Sequence, residues 1–272
     1  MKKTTLFIIS FVFICDAFSQ NKKVKFLKQE YLPITENIFV AKYETSYGEY
    51  FIFLNSIANN ESKALYNECY IDTSKLISEY VLPFYEMFKN RQTIINYPIS
   101  NISYKAALEY CKWLTNNYNN NLIKKYKKVL YRLPNQKEWE LAASGGMSNV
   151  EYPWGGPYIR EKSGKFLCNF LRLVETNITY DTLSKNYIVI NQGNYSLPNI
   201  TSSLCTINSY KPNYFGLYNM SGNVAEMVAE NGIAKGGSYL DPGYDVQIKS
   251  VKKYTEKASN IGFRVFLEVI EW

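Results

Sequence analysis

The sequence predicts a mixed helix-and-strand domain in which ordered loop carries much of the chain. Three observations predict it: three capped amphipathic helices, a few short β-prone runs, and a long stretch after Tyr152 where regular periodicity thins out. The first helix starts at Ser46, which forms a capping box with Glu49 ahead of Tyr50, Phe51, Leu54 and Ile57 at helical spacing. Ser103 caps the second, whose apolar face is Ala106, Ala107, Tyr110, Cys111 and Leu114. Asn135 and Glu138 open the third; Trp139, Leu141, Ala142 and Ala143 follow, and Gly145-Gly146 ends it. Phe39 to Tyr43, Tyr131 to Pro134 and Phe263 to Leu267 read as extended segments, and residues 59–94 as an irregular insert. Tyr152-Pro153-Trp154-Gly155-Gly156-Pro157 is turn chemistry around one large ring. Long loops of this kind are functional or pinned in place.

No Pro-, Gly- or Ser-rich linker and no internal repeat divides the 272 residues, so one domain is expected over 36–272. A polar lead-in at 20–35 precedes it, and residues 1–19 read as a signal peptide. Lys2-Lys3 are its positive region, Leu6 to Ile14 its apolar run, and Ala17-Phe18-Ser19 its small-residue cleavage site. Export to the periplasm or the outer membrane follows. The apolar run is short for a membrane span, and no transmembrane helix is expected. Cys15 follows the bulky Ile14, which does not suit a lipobox, so no lipid anchor is expected either.

Composition narrows the chemistry. There is no histidine, which excludes Ser-His-Asp and Cys-His catalysis, histidine-ligated zinc and a histidine-held iron. Cys69, Cys111, Cys168 and Cys205 show no CxxC or metal-ligand spacing. Cys111 is expected as a buried thiol, while Cys168 and Cys205 bracket an Asn-rich excursion and are candidates for a disulfide. Net charge is +7, and Lys124-Lys125-Tyr126-Lys127-Lys128 is the dense basic patch. In an exported chain that patch reads as a loop, a helix end or a contact for an acidic partner, not as a nucleic-acid site. Twenty-five tyrosines suit either half-buried layers or a contact surface.

The order of several motifs carries a resemblance. Tyr43-Glu44-Thr45, Ile102 to Leu114, Arg132-Leu133-Pro134-Asn135 through Glu138-Trp139-Glu140, Tyr152-Pro153-Trp154-Gly155, Gly216 to Met220, Gly222-Asn223-Val224, Gly236-Gly237-Ser238 and Gly262-Phe263-Arg264 occur in sequence over residues 36–268. Together they resemble the formylglycine-generating enzyme (sulfatase-modifying factor) family. The resemblance implies an α+β, C-type-lectin-like fold with few short strands and helices. Within the family, Tyr152 to Arg160, Gly164 to Phe170 and Pro212 to Glu226 look like the gliding-motility and type IX secretion lipoproteins of Bacteroidetes.

The resemblance also implies sites. Asn219, Gly222, Val224 and Glu226 match a structural calcium site, with the Asn and Glu giving side-chain oxygens and the other two backbone carbonyls; the alternative is that Asn219 and Glu226 hydrogen-bond the turn. Asn169 and Phe170 match half of a second calcium site, with Asp181 as a candidate acidic partner. Ser238 matches a serine lining the oxygen site. The copper-binding cysteine pair of the family falls on Asp241 and Val246 here, and its tryptophans on Ala225 and Met227. Copper(I) selects soft sulfur, so no copper is expected. A non-catalytic exported scaffold of a cell-envelope assembly is therefore expected, bound to other envelope or secretion proteins. The alternatives are an oxidase acting on a protein cysteine through an altered site and, without a Glu-Pro-Asn or Gln-Pro-Asp motif, a carbohydrate-binding module.

Overall fold

The computed structural model describes residues 26–71, 91–172, 178–189 and 203–272; the expected leader lies outside them. Both ends of the described chain meet in one antiparallel sheet. Its strands are β1 (Tyr31–Pro33), β2 (Ile38–Ala41), β3 (Lys128–Arg132) and β10 (Phe266–Glu271), in the order β1-β2-β10-β3. Phe266 pairs with Val40 on one side and Arg132 on the other, so the last strand is the sheet's centre. Strand β1 lies in what the sequence suggested was lead-in.

A second sheet holds β6 (Ala225–Met227), β7 (Ile233–Lys235), β8 (Val251–Lys253) and β9 (Ile261–Gly262), in the order β8-β7-β6-β9. β6 and β9 run parallel, and the other pairs antiparallel. β4 (Ile178–Asp181) and β5 (Asn186–Val189) form a separate hairpin. The described elements are short and joined by long loops, so the architecture is α+β as expected.

The three expected helices form where their caps sit. They are α1 (Tyr47–Asn60), α4 (Tyr104–Asn119) and α5 (Gln136–Ser144), and both capping boxes close, Ser46 with Glu49 and Asn135 with Glu138. Gly145 ends α5 at φ 62°, where a glycine meets no Cβ penalty. The insert is more regular than expected: Ser62 caps α2 (Lys63–Cys69), and α3 covers Arg91–Ile94. Residues 72–90 of the insert lie outside the described residues. Seven residues are too few to display a helical period, which is why α2 escaped notice.

The last expected strand, Phe263 to Leu267, forms only from Phe266 onward. β9 ends at Gly262 and β10 starts at Phe266, because Phe263 to Val265 turn between the two sheets. The Phe263 carbonyl accepts from the Thr45 N–H and the Val265 carbonyl from the Ala41 N–H, leaving Arg264 pointing into the core.

An aromatic layer joins α1, α4 and this turn. Tyr110 stacks on Tyr50 at 5.7 Å and meets Phe53 and Phe263 edge-on at 5.5 Å each. The Tyr50 hydroxyl donates to the Cys69 carbonyl at 2.8 Å, which ties α2 to the layer. Burial pushes the Tyr47 phenol up to about 12 and Tyr110 well above its ordinary value. These tyrosines are core. Others, Tyr158, Tyr214 and Tyr244, are about three-quarters exposed. Tyrosine serves both of the roles its chemistry allows.

Candidate functional site

Two tight turns clasp each other at the centre of the molecule. Residues Asn219 to Val224 form one and Gly236 to Asp241 the other, joined by Gly222 N–H to Gly236 O at 2.9 Å and Tyr239 N–H to Asn223 O at 3.0 Å. Asn219 and Asn223 take φ of 51° and 63°, a left-handed conformation that asparagine tolerates better than most side chains. Gly237, at φ 62°, has no room for a side chain: a Cβ there would stand 2.5 Å from the Asp245 carbonyl oxygen.

Under the first turn lies a buried charge network. Glu226 on β6 is 1% exposed and faces Arg264, itself fully buried. Oε1 of Glu226 accepts from Arg264 Nη2 at 2.8 Å and Nε at 3.1 Å; Oε2 accepts from the same Nε at 3.1 Å and from Trp139 Nε1 at 2.7 Å. The guanidinium also donates to the carbonyls of Ala41, Lys42 and Tyr218. One arginine thus ties β2, the Asn219 turn and β6 together.

Beside it sits a second buried carboxylate, Glu44. It accepts from Asn219 Nδ2 at 2.8 Å, from Asn223 Nδ2 at 3.0 Å on both oxygens, and from Val224 N–H at 3.4 Å. Burial, and then the charge of Glu226, push its pKa up to about 8 against the opposing pull of Arg264 and the two amides. In the sequence Glu44 and Arg264 stand only as motif letters. A Glu and an Arg set among apolar neighbours were the available signal.

Tested against calcium, Asn219, Gly222, Val224 and Glu226 as arranged offer no free carboxylate oxygen. Both oxygens of Glu226 are filled by Arg264 and Trp139, and the guanidinium already supplies the positive charge a cation would bring. Asn219 turns its amide nitrogen to Glu44 and to the Thr206 and Ile207 carbonyls. In the second expected set, the Asn169 side-chain amide donates to Ser203 O at 2.8 Å, and the Asn169 backbone carbonyl accepts from Asn223 N–H. The Phe170 ring packs with Tyr152, Cys168 and Val246. Asp181 caps its own hairpin turn through the Leu183 and Ser184 N–H groups; the Ser184 side chain first, and then these N–H groups, hold its carboxyl below the ordinary range.

The second turn contains Ser238 and Asp241, which match the family's oxygen-site serine and one of its copper-binding cysteines. Ser238 is fully buried; its hydroxyl donates to Asp241 Oδ2 at 2.5 Å and accepts from Leu240 N–H and Asn260 Nδ2. Asp241 Oδ1 in turn bonds the ammonium of Lys252 on β8. Val246, also fully buried, packs with Tyr152, Cys168 and Phe170. The positions that matched a copper pair therefore hold an ion-paired carboxylate and a core methyl group. Lys252 and Asn260 had carried no signal in the sequence.

Cys168 and Cys205, the candidates for a disulfide, are free thiols. Cys205 Sγ donates to Asn223 Oδ1 at 3.2 Å, so it is held by the turn instead of a second sulfur. Burial raises both thiols to about 12. Among the described residues, no three of His, Cys, Asp and Glu converge to hold a metal ion. Among them, too, no helix is long and apolar enough to cross a membrane.

On the surface nearby, Pro153, Trp154, Leu167, Lys211, Pro212, Asn213 and Tyr214 line a groove of about 210 Å³. Trp154 stacks on Tyr152 at 4.9 Å, and its indole N–H bonds the Tyr158 carbonyl, so the aromatic wall is fixed.

Residues 35–269 match the sulfatase-modifying factor enzyme 1-like domain. The chain belongs to this family. It is 29% identical over 135 residues to the formylglycine-generating enzyme of Thermomonospora curvata, covering 50% of this chain and 34% of that protein. It is 23% identical over 156 residues to the inactive C-alpha-formylglycine-generating enzyme 2 of Bos taurus, covering 54% and 40%. The chain spans between about a third and a half of the length of the first formylglycine-generating enzymes it matches. Among solved structures it resembles CarF, with a TM-score of 0.50 at 18% identity over 90% of this chain and 95% of that one. PvdO from Pseudomonas aeruginosa gives 0.51 at 16% identity, over 85% and 80%. These likenesses establish the fold.

Proposed function

We propose that this family member is a non-catalytic, exported binding or scaffolding protein of a bacterial cell-envelope assembly. The observation that carries the proposal is the Ser238–Asp241–Lys252 cluster. It fills the catalytic floor with a hydroxyl no substrate can reach and a carboxylate already neutralised by an ammonium. Copper(I) would need two thiolates there. An inactive relative shows by its name that the family has members without the activity.

Gliding motility or type IX secretion is the proposed setting, supported by the Tyr152 to Arg160, Gly164 to Phe170 and Pro212 to Glu226 segments. Those segments form the Trp154–Tyr214 groove, which is the proposed contact surface: aromatic and proline-rich, with Lys211 at its edge. The turns are proposed to be held by Arg264, Glu226 and Glu44, with calcium at Asn219, Gly222, Val224 and Glu226 the competing expectation that a titration decides. Cross-linking with mass spectrometry in the native cell tests the scaffold reading. Cross-links from Lys211 and its neighbours to other envelope proteins are expected, and a protein that cross-links to none sinks it.

A further inference from the structure

The loop after α4 is built to present two apolar side chains to something outside the molecule. Leu122 is 99% exposed and Ile123 91% exposed, far beyond what an isolated surface apolar residue shows when it leans on its neighbours. The loop is nevertheless held. At its base, Asn119 exchanges two hydrogen bonds with the backbone of Val129, at 2.9 and 3.0 Å, and the Tyr118 hydroxyl accepts from Tyr126 N–H at 2.9 Å. At its tip, Asn121 Oδ1 accepts from Ile123 N–H at 2.9 Å, a side-chain turn that fixes the direction of both apolar groups.

Lysines ring this tip. Lys124, Lys125, Lys127 and Lys128 are all exposed, and Glu271 is the one carboxylate lining the shallow depression of about 270 Å³ that Lys124, Lys127 and Lys128 share with Asn119. The patch stays cationic after the Lys127–Glu271 ion pair is counted. An indole adjoins the patch: Trp272, 65% exposed, meets the ring of Tyr126, between Lys125 and Lys127 in the chain, edge-on at 5.2 Å. Behind it, Leu130 on β3 and Ile270 on β10 are also exposed apolar groups.

We propose that this loop docks the protein on an anionic lipid surface, with Leu122 and Ile123 entering the acyl boundary, the lysines on headgroup phosphates and Trp272 at the interface. Chemistry selects the occupant. A nucleic acid or a purely acidic peptide would satisfy the lysines but leave two fully exposed aliphatic side chains in water. A bilayer satisfies both, since hydrocarbon lies just beneath its anionic groups. Trp is a side chain that favours the headgroup level. A short loop gives reversible, peripheral binding, distinct from a lipid anchor or a spanning helix. The inference does not depend on the scaffold reading, because it shares no residue with the Trp154–Tyr214 groove.

Vesicle co-sedimentation of the full chain tests it, with phosphatidylcholine vesicles that contain or lack phosphatidylglycerol. Binding is expected only with phosphatidylglycerol, and it should weaken as salt is raised. Leu122→Asp/Ile123→Asp should lower binding by about tenfold or more, and Lys124→Glu/Lys125→Glu by a similar factor. All four side chains are exposed, so both variants should keep the wild-type thermal midpoint, which separates lost binding from lost folding. Equal binding to both vesicles, no binding to either, or full binding by the aspartate variant overturns the proposal. Equally tight binding to soluble polyglutamate that ignores the aspartates would identify an acidic-protein contact instead.

Discussion

Glu226→Gln probes the charge network with little change of shape. The amide keeps the volume of the carboxylate, but it turns an NH2 toward a donor, either Trp139 Nε1 or the Arg264 Nε and Nη2 groups. It also strands the Arg264 charge at a site that is fully buried. Breaking one partner of a buried ion pair costs about 3–5 kcal/mol. Three carbonyl contacts to Arg264 soften that cost, so the lower end, about 3 kcal/mol, is the expected loss. Urea unfolding followed by tryptophan fluorescence reads it, since Trp139 lies in the network. Calcium makes the assay discriminating. If protein charges alone hold the turn, millimolar calcium leaves the midpoints of wild type and variant where they were. If Glu226 ligated calcium, the ion would stabilise the wild type by mass action and the variant would lose that gain. A loss below about 1 kcal/mol, or a calcium-raised midpoint abolished in the variant, refutes the reasoning.

Glu44 makes stability pH-dependent. Its folded pKa of about 8 lies above the ordinary 4.5, so its contribution is full below about pH 4.5 and is lost as pH rises through 8. Wild-type midpoints should fall across that window, and Glu44→Gln should flatten the slope; an unchanged slope counts against the assignment. Gly237→Ala should destabilise by about 2 kcal/mol or more, because φ of 62° and the Asp245 carbonyl both oppose a side chain; equal chemical stability would show that the turn relaxes freely. A thiol reagent at neutral pH should leave Cys168 and Cys205 unmodified in the native protein and label both once it is unfolded without reductant. Failure to label them after unfolding would reveal a disulfide.

Local chemistry was the legible part of this fold. Ser46, Ser103 and Asn135 marked helix starts because an N-cap is a contact between residues three apart, visible in any single sequence. The turn at Phe263 to Val265 was not legible, because its cause is a contact from Arg264 to Ala41, over two hundred residues away. The site divided along the same line. Motif order placed Asn219, Ser238 and Asp241 in their turns and Glu226 just after the first of them. What those side chains touch depended on Glu44, Arg264, Lys252 and Asn260, each brought in from another segment of the chain. A resemblance transfers positions, and only the surrounding charges decide whether a position holds a metal, an ion pair or a hydrogen bond.

The central claim is that the Ser238–Asp241–Lys252 cluster leaves this family member without the family's oxidase chemistry. Incubation of the purified protein with copper(I), oxygen and a sulfatase-type cysteine peptide, read by mass spectrometry for the aldehyde product, tests it most directly. Unchanged peptide, with an active formylglycine-generating enzyme converting it in parallel, is the predicted result. Aldehyde formed by this chain would contradict it.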